Sequence, residues 1–276
     1  MKIISEIATN CPCYKEGTKI EVKGLMLHSV GCAQPSAKVF VGIFSKPDYE
    51  AASVHAFIDA NDGSIHKILP WNRRAWHCGG YANSTHIGVE MCEPPNIKYI
   101  PGTSRFICTN KKEARKYVKV AYDSAVELFA YLCKKYNLDP LKKGVIISHN
   151  EGAEMGWASS HGDPEHLWKG LKTGYTMDGF RKDVKKAMAS VKLDEKEDEY
   201  MFTVDTIKKG DIGNDVKLLQ RMLKSYGYKD KSGHVLEIDG NAGESTVYAL
   251  KKYQTKHDLT ADGVCGPKTW KKLLIR

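Results

Sequence analysis

The sequence predicts an α/β (α+β) protein with a mixed central β-sheet flanked by helices, followed by a small C-terminal three-helix bundle. Three features predict this class: short apolar runs typical of buried strands, one long stretch with helical periodicity, and an Asp-Gly turn that occurs twice near the C-terminus. With 276 residues, of which 42% are hydrophobic and 27% charged, the chain can form two domains with cores.

The strands of the first part are predicted from apolar runs. Two of these runs flank Asn61-Asp62-Gly63, a sequence typical of a hairpin turn. The other runs stand alone and are short enough to be buried strands. The predicted strands are 24–29, 54–58, 65–69, 87–92 and 145–147.

One long amphipathic helix is predicted between the fourth and fifth strands. Asn110 is a suitable N-cap, and Glu113 follows three residues later. Apolar residues then recur at spacings of three and four as far as Leu132, and Asn137 and Pro140 mark the end. A helix of this kind is expected to cover one face of the sheet.

The charge distribution predicts two basic domains joined by a tether. Residues 191–200 contain five acidic side chains and few core residues, and we interpret them as an acidic linker between domains at 1–190 and 201–276. In the second domain, Asp239-Gly240 and Asp262-Gly263 each lead through another glycine into a helical pattern. This repeat predicts the three-helix bundle.

Two histidines and two carboxylates occupy positions that suit a metal site. His28 and His149 each end an apolar run and precede a loop of small or polar residues, Glu90 ends another run, and Asp163 precedes a proline. Two imidazoles and one carboxylate leave zinc an open position for water, and a free carboxylate beside that water is the minimum for metal-assisted hydrolysis. Spacing across strands is not diagnostic by itself, so surface or hydrogen-bonded histidines, and an exposed strand-end carboxylate at Glu90, remain the alternatives.

The remaining histidines and cysteines are given ordinary structural interpretations. We expect isolated histidines to be half exposed or hydrogen-bonded and the cysteines to be mostly reduced. Cys11-Pro12-Cys13 lacks the paired spacing of a zinc knuckle. The histidines concerned are His66, His86, His166, His234 and His257, and the cysteines expected in the core are Cys78, Cys92, Cys108 and Cys133.

Residues 20–170 resemble the zinc-dependent N-acetylmuramoyl-L-alanine amidases of the type-2 family, which includes phage endolysins and is similar in fold to peptidoglycan recognition proteins. The C-terminal part resembles a peptidoglycan-binding domain with repeated Asp-Gly turns. The order and spread of the matching segments make the first resemblance specific. These segments are 26–29, 54–58 with Asp62-Gly63, 74–79, 87–90, 148–149 and 161–164.

The resemblance implies a role for each matching residue. His28, His149 and Asp163 correspond to the zinc ligands, and Glu90 corresponds to the catalytic carboxylate. His161 falls where relatives often carry a cationic donor. Trp76 and His77 match a segment near the cleft and are predicted to contact substrate. The family usually continues Asp-Pro-Gly, whereas this chain has Glu165 after Asp163-Pro164, which alters the loop after the ligand.

The implied reaction is hydrolysis of the amide between N-acetylmuramic acid and L-alanine, with Zn²⁺ as cofactor, Glu90 as proton acceptor and His161 as donor to the oxyanion. Two alternatives are a non-catalytic protein that recognises wall fragments and a zinc peptidase that acts within the stem peptide. The set of candidate ligands is complete, which favours hydrolysis over recognition.

Bacterial peptidoglycan is the partner that the resemblance implies. The net charge is +9 without basic runs, which suits an anionic wall and does not favour nucleic acid, and no stretch reaches the roughly 20 apolar residues of a membrane span. The start of the sequence lacks the features of a secretory signal, so we expect a cytoplasmic location until release, as in an endolysin-like bacteriolytic enzyme.

Overall fold

Residues 1–46, 48–191 and 206–274 are described by a computed structural model of the chain. The chain divides into two units, Met1–Asp194 and Glu195–Arg276, and each is considered by itself. All but the first residue of the predicted acidic linker 191–200 lies outside the described residues.

A six-stranded sheet forms the centre of the first unit, in the order β1-β4-β3-β5-β2-β8. Only the β3–β4 pair is antiparallel, and every other pair in this sheet is parallel. A separate β6–β7 hairpin lies outside it. The strands are β1 (Ile3–Ser5), β2 (Gly24–Ser29), β3 (Ala56–Ile58), β4 (Ile65–Lys67), β5 (His86–Met91), β6 (Ile97–Tyr99), β7 (Phe106–Cys108) and β8 (Ile146–Ser148).

The predicted fold class is confirmed, and all five predicted strands are present, although β3 begins two residues later and β4 ends two residues earlier than predicted. β1, β6 and β7 were not predicted. β2 has the predicted bounds, and β3 and β4 form the predicted hairpin around Gly63. Gly63 has φ 74°, in the left-handed region that favours glycine, and its N–H donates to the Asp59 carbonyl at 2.9 Å. β5 and β8 lie within a residue of their predicted positions.

Helices cover the sheet of the first unit. The predicted long helix is α3, and its N-cap Asn110 accepts a hydrogen bond from the Glu113 N–H at 3.1 Å. Its apolar face is buried against the sheet and against α5 and α6. The helices are α1 (Pro12–Glu16), α2 (Ala37–Phe44), α3 (Lys111–Lys135), α4 (His149–Glu154), α5 (Glu165–Leu171) and α6 (Met177–Ala187).

The second unit contains the predicted helices, α7 (Asn214–Ser225), α8 (Glu244–Lys256) and α9 (Pro267–Leu274). Two glutamines are buried, Gln220 on α7 and Gln254 on α8. Each forms hydrogen bonds to one of the Asp-Gly turns through both the oxygen and the nitrogen of its side-chain amide. The partners are Asp239, Gly240, Asn241 and Thr246 for Gln220, and Asp262, Gly263, Val264 and Thr269 for Gln254. Every buried amide group therefore has a partner in both copies.

The cysteines are thiols, and most of those predicted in the core are buried. Cys108 is the exception: it is half-buried because it lies on the β6–β7 hairpin, outside the main sheet. Across the described ranges, no helix combines the length and the apolar character that crossing a bilayer requires.

Candidate metal centre

Three adjacent strands bring the candidate residues together at one edge of the sheet. β2 lies between β5 and β8, and all three run parallel, so their carboxyl ends meet at the same edge. His28 pairs with Glu90 in the β2–β5 register, and His149 follows the end of β8 directly as the first residue of α4. Neighbouring strands are about 4.8 Å apart, which places these side chains within reach of one another.

The start of α4 fixes the position of His149. Ser148 and Glu151 form a capping box, in which the Ser148 hydroxyl accepts from the Glu151 N–H and the Glu151 carboxylate accepts from the Ser148 N–H. Arg181 on α6 then clamps both Glu151 oxygens at 2.8 and 2.9 Å. The backbone that carries His149 is thus tied to a second helix.

His28, His149 and Asp163 converge in space. The two Nδ1 atoms of His28 and His149 are 3.1 Å apart, and Asp163 directs one carboxylate oxygen to each, at 3.3 Å from His28 and 3.4 Å from His149. The residues are 1%, 3% and 8% exposed. Within the described part of the chain, they are the group of His, Cys, Asp and Glu side chains whose geometry suits a metal ion.

Asp163 is held by backbone groups on both sides. Its carboxylate accepts from the Ser29 N–H at 3.4 Å, and its carbonyl accepts from the Asn150 N–H at 3.2 Å. Burial opposes ionisation, but the contacts with the His149 and His28 side chains outweigh it and lower the pKa of Asp163. The carboxylate therefore stays charged, as a metal ligand must be.

The donor set fits zinc. A tetrahedral Zn²⁺ about 2.0–2.2 Å from each ligand requires ligand atoms about 3.3–3.5 Å apart, close to the separations observed here. Burial lowers the pKa of His28, which keeps this imidazole in the neutral form that binds metals. Two nitrogens and one oxygen match the ligand number of a catalytic zinc site.

Glu90 lies beside the cluster without belonging to it. Its Oε2 atom is buried and has no hydrogen-bond partner, which is unusual for a native carboxylate. Burial and, to a smaller extent, the charges of Asp163 and Glu93 raise the pKa of Glu90 well above its ordinary value. A carboxylate in this environment accepts a proton readily.

His161 lies at the entrance to the cluster. Its side chain is 60% exposed, its Nδ1 is 3.8 Å from an Asp163 oxygen, and its ring lies 4.3 Å from the His149 ring between centroids. The ring is therefore near the candidate ligands and accessible to a bound molecule.

Trp76 and His77 occupy different environments. Trp76 is half-buried and packs against the main core, whereas His77 is buried behind His28, with its Nδ1 2.9 Å from His28 Nε2. His77 therefore contacts the candidate ligand His28 from the interior of the protein.

Glu165, which replaces the glycine usual in the family, is built into the site. It accepts a hydrogen bond from the Ser148 hydroxyl at 2.7 Å, next to His149. Burial raises the pKa of Glu165 to about 7. The altered loop thus contacts the strand end that carries a candidate ligand.

The sequence pattern does not predict several buried polar groups that lie near the site. Glu93 accepts from the Gly31 N–H at 3.1 Å and from the Tyr99 hydroxyl at 2.7 Å, and that hydroxyl is also 2.7 Å from His166 Nε2.

His66 and His86 are hydrogen-bonded as predicted, but they are buried and not half exposed, because both lie on strands of the sheet.

Comparison with known proteins gives the family. Residues 18–166 match the model of the N-acetylmuramoyl-L-alanine amidase family, which is more than half of the chain. The chain belongs to this amidase family. Residues 212–273 match the model of a peptidoglycan binding domain.

Curated amidases of Bacillus are among the similar proteins. The amidase CwlL of Bacillus licheniformis is 29% identical over 272 residues, which cover 91% of this chain and 66% of the relative. The amidase CwlA of Bacillus subtilis is 28% identical, with 79% of this chain and 78% of the relative covered. The match to CwlL spans both units of the chain.

The fold agrees with a solved structure. The Staphylococcus aureus hydrolase AmiA, crystallised with its ligand, superposes with a TM-score of 0.53 at 17% identity, over 68% of this chain and 83% of that one. This similarity establishes the shared fold of the amidase unit.

Proposed function

We propose that the chain hydrolyses the amide bond between N-acetylmuramic acid and L-alanine in bacterial peptidoglycan and that it does so with zinc. The convergence of His28, His149 and Asp163 beside Glu90, in a chain of the amidase family, carries this proposal. The family match supports the bond that is cleaved, and the donor set supports the metal.

The candidate ligands have one shared task. His28, His149 and Asp163 would hold zinc, which when bound polarises the scissile carbonyl and lowers the pKa of a water molecule. The hydrogen bonds that fix α4 and Asp163 would keep His149 and Asp163 in place for the metal.

Glu90 is the proposed general base. It takes a proton from the attacking water and transfers it to the amine nitrogen as the carbon–nitrogen bond breaks. Because its pKa is raised and Oε2 has no competing partner, the carboxylate is free to accept that proton. A contribution of about 10²–10⁴-fold to the rate is usual for such a group.

His161 is the proposed donor to the developing oxyanion. The exposed ring lies beside His149 and Asp163, on the side that a substrate carbonyl can reach. A donor aimed at the oxygen where charge develops stabilises the transition state more than the substrate. Trp76 remains a predicted substrate contact.

The second unit is proposed to bind the wall polymer. The peptidoglycan-binding family match supports this role, and residues 201–276 carry 14 basic against 9 acidic side chains, which favours an anionic polymer. Binding would raise the local concentration of the amidase unit at its substrate.

Mass spectrometry of fragments released from purified peptidoglycan tests this function. We expect glycan free of peptide and new L-alanine amine ends, and we expect both to disappear with a chelator. Peptides cut inside the stem would instead indicate a peptidase, and binding without new amine ends would indicate recognition. Fragment release that continues at the native rate in chelator would rule out a metal requirement.

The variant Glu90→Gln separates catalysis from metal binding. It should bind zinc as the native chain does and lose about 10²–10⁴-fold in hydrolysis. Near-native turnover in this variant would reject Glu90 as the base.

A further inference from the structure

A line of hydrogen-bonding groups extends inward from His28. His28 Nε2 is 2.9 Å from His77 Nδ1, and His77 Nε2 is 3.2 Å from the His86 carbonyl oxygen. All three residues are buried. The line begins on the side of the His28 ring that faces away from His149 and Asp163.

The carbonyl at the inner end determines where each proton lies. A carbonyl oxygen can only accept, so His77 Nε2 must carry the hydrogen and donate to it. His77 is buried, and its two ring nitrogens face an imidazole and a main-chain carbonyl and no carboxylate, so the ring carries a single N–H and Nδ1 has no hydrogen. His77 Nδ1 therefore accepts, and His28 Nε2 must donate to it.

The same reasoning leaves the outer nitrogen of His28 without a hydrogen. A neutral imidazole carries one N–H, and for His28 that group is committed to His77. Its Nδ1 lone pair then faces His149 Nδ1 at 3.1 Å and Asp163 at 3.3 Å. This is the atom that the proposed zinc site uses.

The surroundings hold the His77 ring in this orientation. A Cβ atom on Gly88 would lie 2.5 Å from His77 Cγ, so only glycine at this position of β5 leaves room for the ring. The Asn83 side-chain oxygen accepts from the N–H groups of His77 and Cys78, both at 2.9 Å. The ring is thus packed from one side and its backbone is fixed from the other.

We propose that His77 is a positioning residue: it fixes His28 as the Nε2–H tautomer, so that Nδ1 is available to a metal at all times. The consequence for zinc rests on the proposed function, but the tautomer does not. A histidine that ligates a metal commonly donates its other N–H to a second group, and here that group is itself a histidine whose tautomer is set by a main-chain carbonyl.

Nuclear magnetic resonance of the metal-free full chain tests the tautomer directly. Long-range ¹H–¹⁵N spectra distinguish Nδ1–H from Nε2–H in each imidazole ring, and variants at single histidines assign the signals. We expect the Nε2–H form for both His28 and His77. An Nδ1–H form at either residue would overturn the proposal.

Zinc affinity tests the consequence. His77→Leu removes the acceptor and should weaken zinc binding by about 10–100-fold in competition with a chelator, the usual loss when such a partner is removed. His77→Gln supplies an amide oxygen to accept and an amide N–H to donate, so it should restore most of the affinity. Affinity in His77→Leu within about twofold of native would contradict the positioning role.

His55 provides a matched control. It is a buried histidine directly before β3, it accepts from the Gly88 N–H at 3.0 Å and donates to the Arg73 carbonyl at 2.8 Å, and neither of these bonds involves a candidate ligand. His55→Gln should lower stability without weakening zinc binding. If the folded native chain binds no zinc, the proposed function fails while the spectra still decide the tautomer.

Discussion

Because of Glu93, the free energy of unfolding of the amidase unit should fall as the pH rises. Its carboxylate is 0% exposed, and burial raises its pKa from 4.5 to about 7 despite hydrogen bonds from Tyr99 and Gly31. Below pH 4.5 the folded and unfolded chains both hold the proton. Between 4.5 and about 7 only the folded chain holds it, so folding takes up a proton and stability decreases as pH rises.

The size of this loss of stability follows from the difference between the two pKa values. One pKa unit corresponds to about 1.4 kcal/mol, so the loss is about 3 kcal/mol once the pH exceeds 7. The variant Glu93→Gln carries no proton equilibrium and should not show this loss. Its amide can still accept from Gly31 and donate to the Tyr99 oxygen, because the Tyr99 hydroxyl can turn to His166 Nε2 at 2.7 Å.

Urea unfolding of both proteins, at about pH 4 and about pH 8, measures the effect. A chelator should be present, because a cation at Asp163 would offset the repulsion that this carboxylate exerts on Glu93. We expect the variant to gain about 3 kcal/mol relative to the native chain between the two pH values. A difference that changes by less than about 1 kcal/mol, or in the opposite direction, would refute the reasoning.

Three further perturbations have defined outcomes. His149→Ala should abolish zinc binding and hydrolysis together, and unchanged zinc content by elemental analysis would exclude it as a ligand. Gly88→Ala should displace the His77 ring and weaken zinc binding. The control Gly42→Ala should bind zinc normally, because nothing lies within 4 Å of the added Cβ. Equal zinc affinities of the two variants would contradict the packing argument. Gln254→Leu should cost on the order of 3 kcal/mol in denaturant unfolding of the second unit, since it leaves buried polar groups unpaired, and a cost below about 0.5 kcal/mol would contradict that role.

The sequence alone determined five strands and the long helix of the first unit, the helices of the second unit, and the family. β2 could be predicted to the residue and α3 to its cap, because an apolar run and an Asn110 N-cap are written within a few consecutive residues. The Asp-Gly repeat likewise predicted the helices of the second unit. These signals are local, so no knowledge of distant contacts was needed.

Only the tertiary structure decided how the site is supported. The strand order β5-β2-β8 brings His28 and His149, which are 121 positions apart, to an Nδ1–Nδ1 distance of 3.1 Å. The burial of Glu93 and the tautomer chain through His77 depend on neighbours from other strands and loops, so no spacing in the sequence reveals them. Proton positions and carboxylate pKa values are set by the three-dimensional surroundings of a group, which its own residue type does not encode.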